Sequence, residues 1–168
     1  AVDYVLVDEK GDRVSNVFAY RDHRTDDAMN KVFKLMPSKM IYEKTGIQFQ
    51  QFNTLYQLFS HMSEHGGDFN KAHKLLLMPD YLNYRLSGVQ AIEYTNATAT
   101  QLLNVHSKKW DADLFDLIKV DRSLMAEVVE PGTVLGLVKE ELQEALNFKG
   151  LKVIAPATHD TGSAIVSI

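Results

Sequence analysis

The sequence predicts a single, mostly helical α/β domain, and three features support that fold class. Apolar runs at residues 2–8 and 151–155 are typical of buried strands. Between them lie segments with a helical spacing of apolar residues and recognisable start and stop signals. The 168 residues show no internal repeat, low-complexity tract or linker, so we expect one continuous unit with its own core.

The first elements are expected to be a hairpin followed by a helix. Residues 13–20 are predicted to form a second strand, joined to residues 2–8 by a turn that contains Gly11. Thr25 is an N-cap candidate for the helix that follows, and Pro37 ends it. One face of this helix is apolar, with Met29, Val32, Phe33 and Met36 at positions i, i+3, i+4 and i+7.

The same signals predict further helices along the rest of the chain. They cover residues 38–44, 53–65, 68–76, 79–86, 111–118 and 138–148. Glycines follow several of these segments where a helix commonly ends. Residues 132–136 are expected to be a turn that leads into a short strand, and a last helix is expected from Gly162 onward.

Composition excludes several functional classes. The chain has no cysteine, which removes disulfides, thiolate metal sites and cysteine nucleophiles together. Its net charge is −4, and its basic residues do not cluster beyond Lys108 and Lys109, so we expect no binding to nucleic acid. No apolar run approaches the roughly 20 residues of a membrane helix, and no signal-peptide pattern begins the chain. We expect a cytoplasmic protein without a membrane partner.

Common catalytic motifs have little support. The sequence contains no glycine-rich phosphate loop and no serine in a nucleophile elbow. His61, Glu64 and His65 match the H-x-x-E-H pattern of some zinc peptidases, but the pattern is short. It also lies in the last turn of a predicted helix, where histidine suits the helix dipole. We therefore expect no metal site there.

Residues 158–161, Thr-His-Asp-Thr, are the strongest candidate site. They follow an apolar strand and precede a helix, and open α/β sheets bind ligands at the carboxyl ends of their strands. Asp160 could take a proton from a substrate hydroxyl, as an aspartate does in many phosphoryl-transfer sites. The alternative interpretation is that Asp160 or Thr161 only caps the following helix.

Two further polar segments have both a structural and a functional interpretation. Residues 95–100 carry several hydroxyls. In the structural interpretation they belong to a loop or a helix cap, and in the functional one they form hydrogen bonds to a sugar or polyol. Asn53 is an N-cap candidate, with Phe52 as the apolar residue that staples the helix start.

Several segments, taken together and in this order, resemble the FGGY family of carbohydrate kinases. They are residues 20–25, 45–49, 52–58, 76–81, 93–98, 130–132 and 158–161. Residues 47–58 and 158–161 lean toward members that act on L-rhamnulose. The resemblance implies an α/β, actin/RNase H-like (ribonuclease H-like) kinase domain, partial and with a largely helical insertion. It also implies transfer of the γ-phosphoryl group of ATP, with Mg²⁺, to the 1-hydroxyl of L-rhamnulose in rhamnose catabolism.

The resemblance also implies roles for individual residues. Asp160 corresponds to the catalytic base, and His159 and Thr161 correspond to substrate-binding neighbours. Ala1 stands where the family has a glycine that touches the sugar. The sugar-side loop includes the substrate-binding candidates Phe52 and Asn53. The chain departs from the family pattern at two positions: Gln51 stands where a proline is common, and Gly162 replaces a frequent alanine.

The resemblance further implies a domain organisation. The family's phosphate loop would precede Ala1, and its adenine-binding domain would follow Ile168. We therefore expect residues 1–168 to be the later part of an N-terminal sugar-binding domain, inactive without a C-terminal ATP-binding domain. Two alternatives remain open: a non-catalytic sugar-sensing or interaction module, and a kinase of the same family for another ketose or polyol.

Overall fold

The computed structural model describes residues 2–166, in which short strands and helices are interspersed. In chain order the elements are β1 (Tyr4–Val7), α1 (Ala28–Leu35), α2 (Ser38–Thr45), α3 (Thr54–His65), β2 (Lys74–Leu77), α4 (Met78–Ser87), β3 (Ala91–Glu93), α5 (Tyr94–Ala99), α6 (Ala112–Ile118), β4 (Glu127–Val129), β5 (Val134–Leu137), α7 (Glu140–Ala145), β6 (Lys152–Ile154) and α8 (Asp160–Val166). The α/β class is confirmed, and helices α1–α3 form a helical segment between β1 and β2.

The strands pair in three sets. β1 and β2 are antiparallel, with Val5 opposite Leu76, whereas β3 and β4 are parallel. A parallel bridge from Leu75 to Met125 connects the first set to the chain just before β4. β5 and β6 form an antiparallel pair, with Val134 opposite Ile154.

The core lies where β1 and β2 meet the helices. All four residues of β1 are buried, as are Leu75, Leu76 and Leu77 of β2. Helix α3 contributes its fully buried Leu55, Tyr56 and Leu58 to the same cluster. Burying these side chains removes apolar surface from water, which is the main favourable contribution to folding.

Several predicted helix boundaries are confirmed. Helix α1 ends just before Pro37, and α3 occupies nearly all of residues 53–65. Helices α2 and α4 end at Gly46 and Gly88, whose φ angles are 67° and 81°. Glycine is favoured there because a side chain strains this left-handed conformation. Helix α7 is shorter than the predicted 138–148, whereas the strand within residues 132–136 is present as part of β5.

The predicted hairpin of residues 2–8 and 13–20 is wrong. Val7 bridges Arg13, and the Val14 N–H donates to the Leu6 carbonyl, but residues 15–20 form no strand. Val14 and Val17 pack against the core without pairing along β1. β1 pairs instead with β2, which supplies a continuous leucine run.

The predicted helix of residues 68–76 is also wrong. A short 3₁₀ turn at Gly66–Asp68 is followed by an irregular stretch and then by β2. A short apolar run such as Leu75-Leu76-Leu77 has no periodicity that separates a buried strand from a buried helix. Pairing with β1 decides in favour of the strand.

Three elements were not predicted, and two of them, β3 and α5, hold residues of the candidate site. β3 and β4 are three-residue strands, and α5 contains most of the hydroxyl-rich run at residues 95–100. Within residues 2–166 no helix is long and apolar enough to cross a membrane.

Candidate functional site

The loop that carries Asp160 leaves β6 next to the turn before β5. The Ala155 N–H donates to the Thr133 carbonyl (2.9 Å), and the Gly132 N–H donates to the Ala155 carbonyl (2.7 Å). Ala155 is buried, and the chain then runs without regular structure until α8 begins at Asp160. Residues 158–161 therefore follow the end of a strand and run into the first turn of α8, which begins two residues earlier than the predicted Gly162.

A buried carboxylate, Glu93, holds this loop. Glu93 lies at the end of β3 and has no exposed surface. Its Oε2 atom accepts hydrogen bonds from the backbone N–H (2.9 Å) and the hydroxyl (2.8 Å) of Thr158. The same carboxylate accepts from the N–H (2.8 Å) and the hydroxyl (2.5 Å) of Thr95 and from the Asn96 N–H (3.3 Å). Glu93 thus caps α5 and ties the loop to it.

Thr95 extends this connection toward the site. Its hydroxyl oxygen accepts a hydrogen bond from the His159 N–H at 3.2 Å. A Cβ atom on Gly162 would lie in ordinary van der Waals contact with Thr95, so the start of α8 packs on the start of α5. The backbone on both sides of Asp160 is therefore in contact with helix α5.

The protonation states of two buried acids differ for identifiable reasons. Burial acts to raise the pKa of Glu93, but the hydrogen bonds from Thr95 and Thr158 outweigh it, so this pKa lies below its usual value. Asp80 of α4 accepts the Glu93 N–H at 3.1 Å. Burial, with a smaller contribution from the charge of Glu93, raises the pKa of Asp80 to about 7. Glu93 is therefore ionised at neutral pH, whereas Asp80 titrates near pH 7.

Asp160 itself is exposed at the first position of α8. Its Oδ1 atom accepts the N–H of the adjacent Thr161 at 2.8 Å. The first turn of the helix is closed by the backbone, because the Ser163 N–H donates to the His159 carbonyl (3.0 Å). His159 is half-buried and Thr161 is exposed, so all three predicted residues lie together at the surface.

The sugar-side candidates Phe52 and Asn53 lie just before α3. The half-buried ring of Phe52 packs edge to face against Tyr20, with 5.5 Å between ring centroids. Asn53 is at the predicted N-cap position, but its side chain makes no capping bond. It accepts the Gln50 N–H (2.7 Å) and donates to the Ala99 carbonyl (2.9 Å), so it secures the loop instead.

Helix α5 connects the two groups of candidates. The Asn53 amide binds the carbonyl of Ala99 at its carboxyl end, and Thr95 receives the His159 N–H at its amino end. Six residues of helix span about 9 Å at 1.5 Å per residue. The loop with Asp160 and the loop with Phe52 are therefore held at opposite ends of one short helix.

Ala1, the remaining candidate, lies outside the described residues. The neighbouring Val2 is buried, and the Val2 carbonyl accepts hydrogen bonds from Thr54 Oγ1 (3.0 Å) and Gln57 Nε2 (3.1 Å). Gln57 also donates to the Phe52 carbonyl (2.8 Å). Val2 is thus anchored beside the sugar-side loop.

Of the H-x-x-E-H motif only His61 is buried in the fold, whereas Glu64 and His65 are exposed. His61 is 1% exposed and is hydrogen-bonded through Nδ1 to the Tyr4 hydroxyl (2.6 Å) and through Nε2 to Asp68 (3.2 Å). Burial lowers the pKa of His61, so the neutral ring donates to Asp68 and accepts from Tyr4. Both ring nitrogens are occupied by these bonds.

Glu93 and Asp80 were not predicted to be parts of the site. The sequence contained a signal for Glu93. An acidic residue placed just before a helix often accepts the N–H groups of the second and third residues after it, here Thr95 and Asn96. The 65-residue separation between Glu93 and Thr158 has no counterpart in any local pattern.

Solved structures with the same fold include a xylulose kinase and a glycerol kinase. The ligand-bound xylulose kinase from Lactobacillus acidophilus superposes with a TM-score of 0.83 at 21% identity, covering 92% of this chain and 32% of that chain. Glycerol kinase from Plasmodium falciparum with ADP gives 0.80 at 17% identity, again over 92% of this chain and 32% of that one. The fold is therefore the actin/RNase H-like fold of these kinases.

Sequence similarity identifies the family within that fold. Residues 1–167 match the FGGY family of carbohydrate kinases, N-terminal domain, and the chain belongs to this family. It is 45% identical over 168 residues to rhamnulokinases from Halalkalibacterium halodurans and Oceanobacillus iheyensis, covering 100% of this chain and 36% of each relative. Rhamnulokinase from Bacillus subtilis is 44% identical over 99% of this chain and 34% of that protein. The chain thus spans about a third of the length of these relatives.

Proposed function

We propose that this chain carries the sugar-binding part and the catalytic base of an ATP-dependent kinase that phosphorylates the 1-hydroxyl of L-rhamnulose in rhamnose catabolism. The main support is the loop of residues 158–161, which combines an exposed aspartate with a histidine and two threonines at the carboxyl end of β6. The 45% identity to rhamnulokinases over the whole chain supports the choice of sugar.

In this proposal Asp160 is the general base. The sugar hydroxyl gives its proton to the Asp160 carboxylate as its oxygen bonds to the γ-phosphorus of ATP and the bond to the departing ADP oxygen breaks. A carboxylate within hydrogen-bond reach also orients the hydroxyl for in-line attack. His159 and Thr161, on either side of Asp160, bind the neighbouring sugar hydroxyls.

The sugar-side loop and Ala1 complete the substrate pocket in this proposal. Phe52, packed against Tyr20, offers an apolar edge to the deoxy end of the ketose. Because Asn53 is 3% exposed and binds two backbone groups, its role is to hold this loop in place for the sugar. Ala1 stands at the position of the family's sugar-contacting glycine.

ATP and Mg²⁺ enter the proposal from the family, as the source of the phosphoryl group and of charge neutralisation. Among residues 2–166 no group of three or more acidic or histidine side chains is arranged to hold a metal, and the sequence has no glycine-rich phosphate loop. Mg²⁺ bound with a nucleotide is commonly held by one or two carboxylates together with the phosphates, so the nucleotide itself would complete the site. We propose that residues 1–168 are the later part of the N-terminal domain and that a C-terminal domain binds the nucleotide. We also propose that the protein acts in the cytoplasm.

The test is ADP release by the complete protein over a panel of sugars. We expect the highest kcat/KM with L-rhamnulose, ahead of D-xylulose, gluconate and glycerol, and no ADP above background from residues 1–168 alone. Asp160→Asn should lower kcat by about 10²- to 10⁴-fold, as expected for loss of a general base, with a much smaller change in the KM for sugar. Asp116→Asn, which removes an exposed aspartate from α6, is the matched control.

Two outcomes would contradict the proposal. Unchanged kcat in Asp160→Asn would remove this residue from the role of base. Absence of ADP release with every sugar would leave a sugar-sensing or interaction module as the function, and a preference for another sugar would change the substrate.

A further inference from the structure

The residue that holds the loop of Asp160 has no role in the chemistry described so far. Glu93 lies on β3, and its carboxylate does not bind Asp160. Yet its Oε2 atom accepts both the N–H and the hydroxyl of Thr158, two residues before Asp160. We infer that Glu93 is a positioning residue: it places the Asp160 carboxylate for proton transfer by clamping Thr158 against the start of α5. This inference rests on the proposed function.

The need for such a clamp follows from how the loop is packed. Of the strands before it, β5 has no buried residue and β6 buries only Val153. Ala155 is buried, but residues 156–161 are half-buried or exposed. Apolar packing therefore restrains this segment weakly, and its geometry depends on hydrogen bonds.

The hydrogen bonds to Thr158 and His159 lead back to Glu93. Thr158 binds Glu93 directly, and the His159 N–H binds the hydroxyl of Thr95, which in turn donates to Glu93. One carboxylate thus acts on two consecutive residues of the loop, the second of which immediately precedes Asp160. Because hydrogen bonds to an ionised acceptor are shorter and stronger than neutral ones, a carboxylate suits this position better than an amide.

The geometry also explains why an amide should fail. Each carboxylate oxygen of Glu93 accepts at least one backbone N–H. Oε1 accepts the Thr95 N–H, and Oε2 accepts the N–H groups of Asn96 and Thr158. In Glu93→Gln either orientation of the amide turns its NH₂ group toward at least one N–H. The side chain then retains its volume, but the bonds to the loop or to α5 are weakened.

The first experiment compares Glu93→Gln with Thr158→Val in the complete enzyme. Thr158→Val removes only the loop-side hydroxyl and leaves Glu93 intact, so it remains informative if Glu93→Gln folds poorly. We expect Glu93→Gln to lower kcat by roughly 10- to 100-fold, the loss expected for a displacement of about 1 Å, with KM for sugar and ATP within about threefold. Thr158→Val should show a smaller loss of the same kind.

The matched control is Asp111→Asn. Asp111 is also a buried capping acid, which accepts the Leu114 N–H and binds Lys44 and Asn104, but it lies at the start of α6 and does not contact the loop. A merely structural effect of losing a buried carboxylate should appear in both variants as reduced stability. Of these two variants, only Glu93→Gln should reduce kcat.

A double-mutant cycle tests the route through Thr158. If Glu93 acts by holding Thr158, the fold-loss of kcat in the double variant will be smaller than the product of the two single losses. A loss equal to that product would overturn the clamp. Equal kcat in Glu93→Gln and wild type would do the same.

Amide hydrogen exchange gives a second readout that does not require turnover. The Thr158 and His159 N–H groups should exchange faster in Glu93→Gln than in wild type, with no change in the Asp111→Asn control. Unchanged exchange at both amides would contradict the clamp. If wild type releases no ADP with any sugar, the proposed function and the catalytic part of this inference fail, whereas exchange still reports whether Glu93 holds the loop.

Discussion

Two regions of this molecule are built in different ways. The packed region, residues 4–129, buries β1 and β2 among the helices, and all four residues of β1 are buried. The open region, residues 132–166, leaves Val134, Leu137 and Ile154 more than half exposed. The difference indicates that apolar burial determines the geometry of the first region, whereas hydrogen bonds to the first region determine much of the second.

The candidate site lies where the two regions meet. Helix α4 contacts both β5 and β6, and the Lys139 N–H donates to the Leu86 carbonyl at 2.8 Å. Glu93 joins the loop of Asp160 to α5 in the same boundary. A catalytic group on a lightly packed segment can adjust to its ligand, but it needs a specific polar attachment to keep its place.

The largest effect is expected in the packed region. Leu76→Ala removes a fully buried side chain opposite Val5 in the strand pair β1–β2. The lost burial and the cavity should together reduce the free energy of unfolding by about 2–5 kcal/mol. Urea unfolding followed by circular dichroism measures this change. A loss below about 1 kcal/mol is well short of the usual cost of a core truncation and would contradict the assignment of this strand to the core.

A smaller effect, dependent on pH, is expected at the boundary. The pKa of Asp80 is raised to about 7, so between its unfolded value and pH 7 the folded state binds more protons than the unfolded state. The stability that protonated Asp80 contributes is therefore present at low pH and lost as pH rises through 7. Between pH 5 and pH 8 this loss is on the order of 2–3 kcal/mol.

Asp80→Asn isolates this contribution, because asparagine keeps an oxygen to accept the Glu93 N–H but has no proton to lose in this range. Urea midpoints at pH 5 and pH 8 should show wild type losing stability relative to the variant as pH rises. The exposed Asp116→Asn variant serves as control. Parallel pH profiles for wild type and Asp80→Asn would contradict the raised pKa.

The smallest effect is expected in the open region. Leu137 of β5 is 54% exposed, so Leu137→Ala removes little buried surface. We expect the free energy of unfolding to fall by less than about 1 kcal/mol, in contrast to the same substitution at Leu76. Urea unfolding of the two variants side by side makes the comparison, and equal losses would show that the two regions are packed alike.

Local signals predicted much of the fold and part of the site. Gly46 and Gly88 marked helix ends correctly because the left-handed conformation is a property of one residue. Residues 158–161 were recognised because they lie between an apolar strand and a helix in sequence. By contrast, the failed hairpin at 13–20 and the failed helix at 68–76 both depended on which segment pairs with β1, and no local pattern records a partner about 70 residues away.

The sequence by itself determined the α/β class, several of the helix boundaries, the family and the place of residues 158–161 after an apolar strand, since these follow from periodicity, end signals and motifs along the chain. It placed the start of the last helix at Gly162, two residues after the observed start at Asp160. The tertiary structure alone decided that β2 pairs with β1, that Asn53 binds Ala99 rather than its own helix, and that Glu93 reaches Thr158. Each of these is a contact between distant segments. Its energy depends on the burial and the hydrogen-bond geometry that appear only when the whole core assembles.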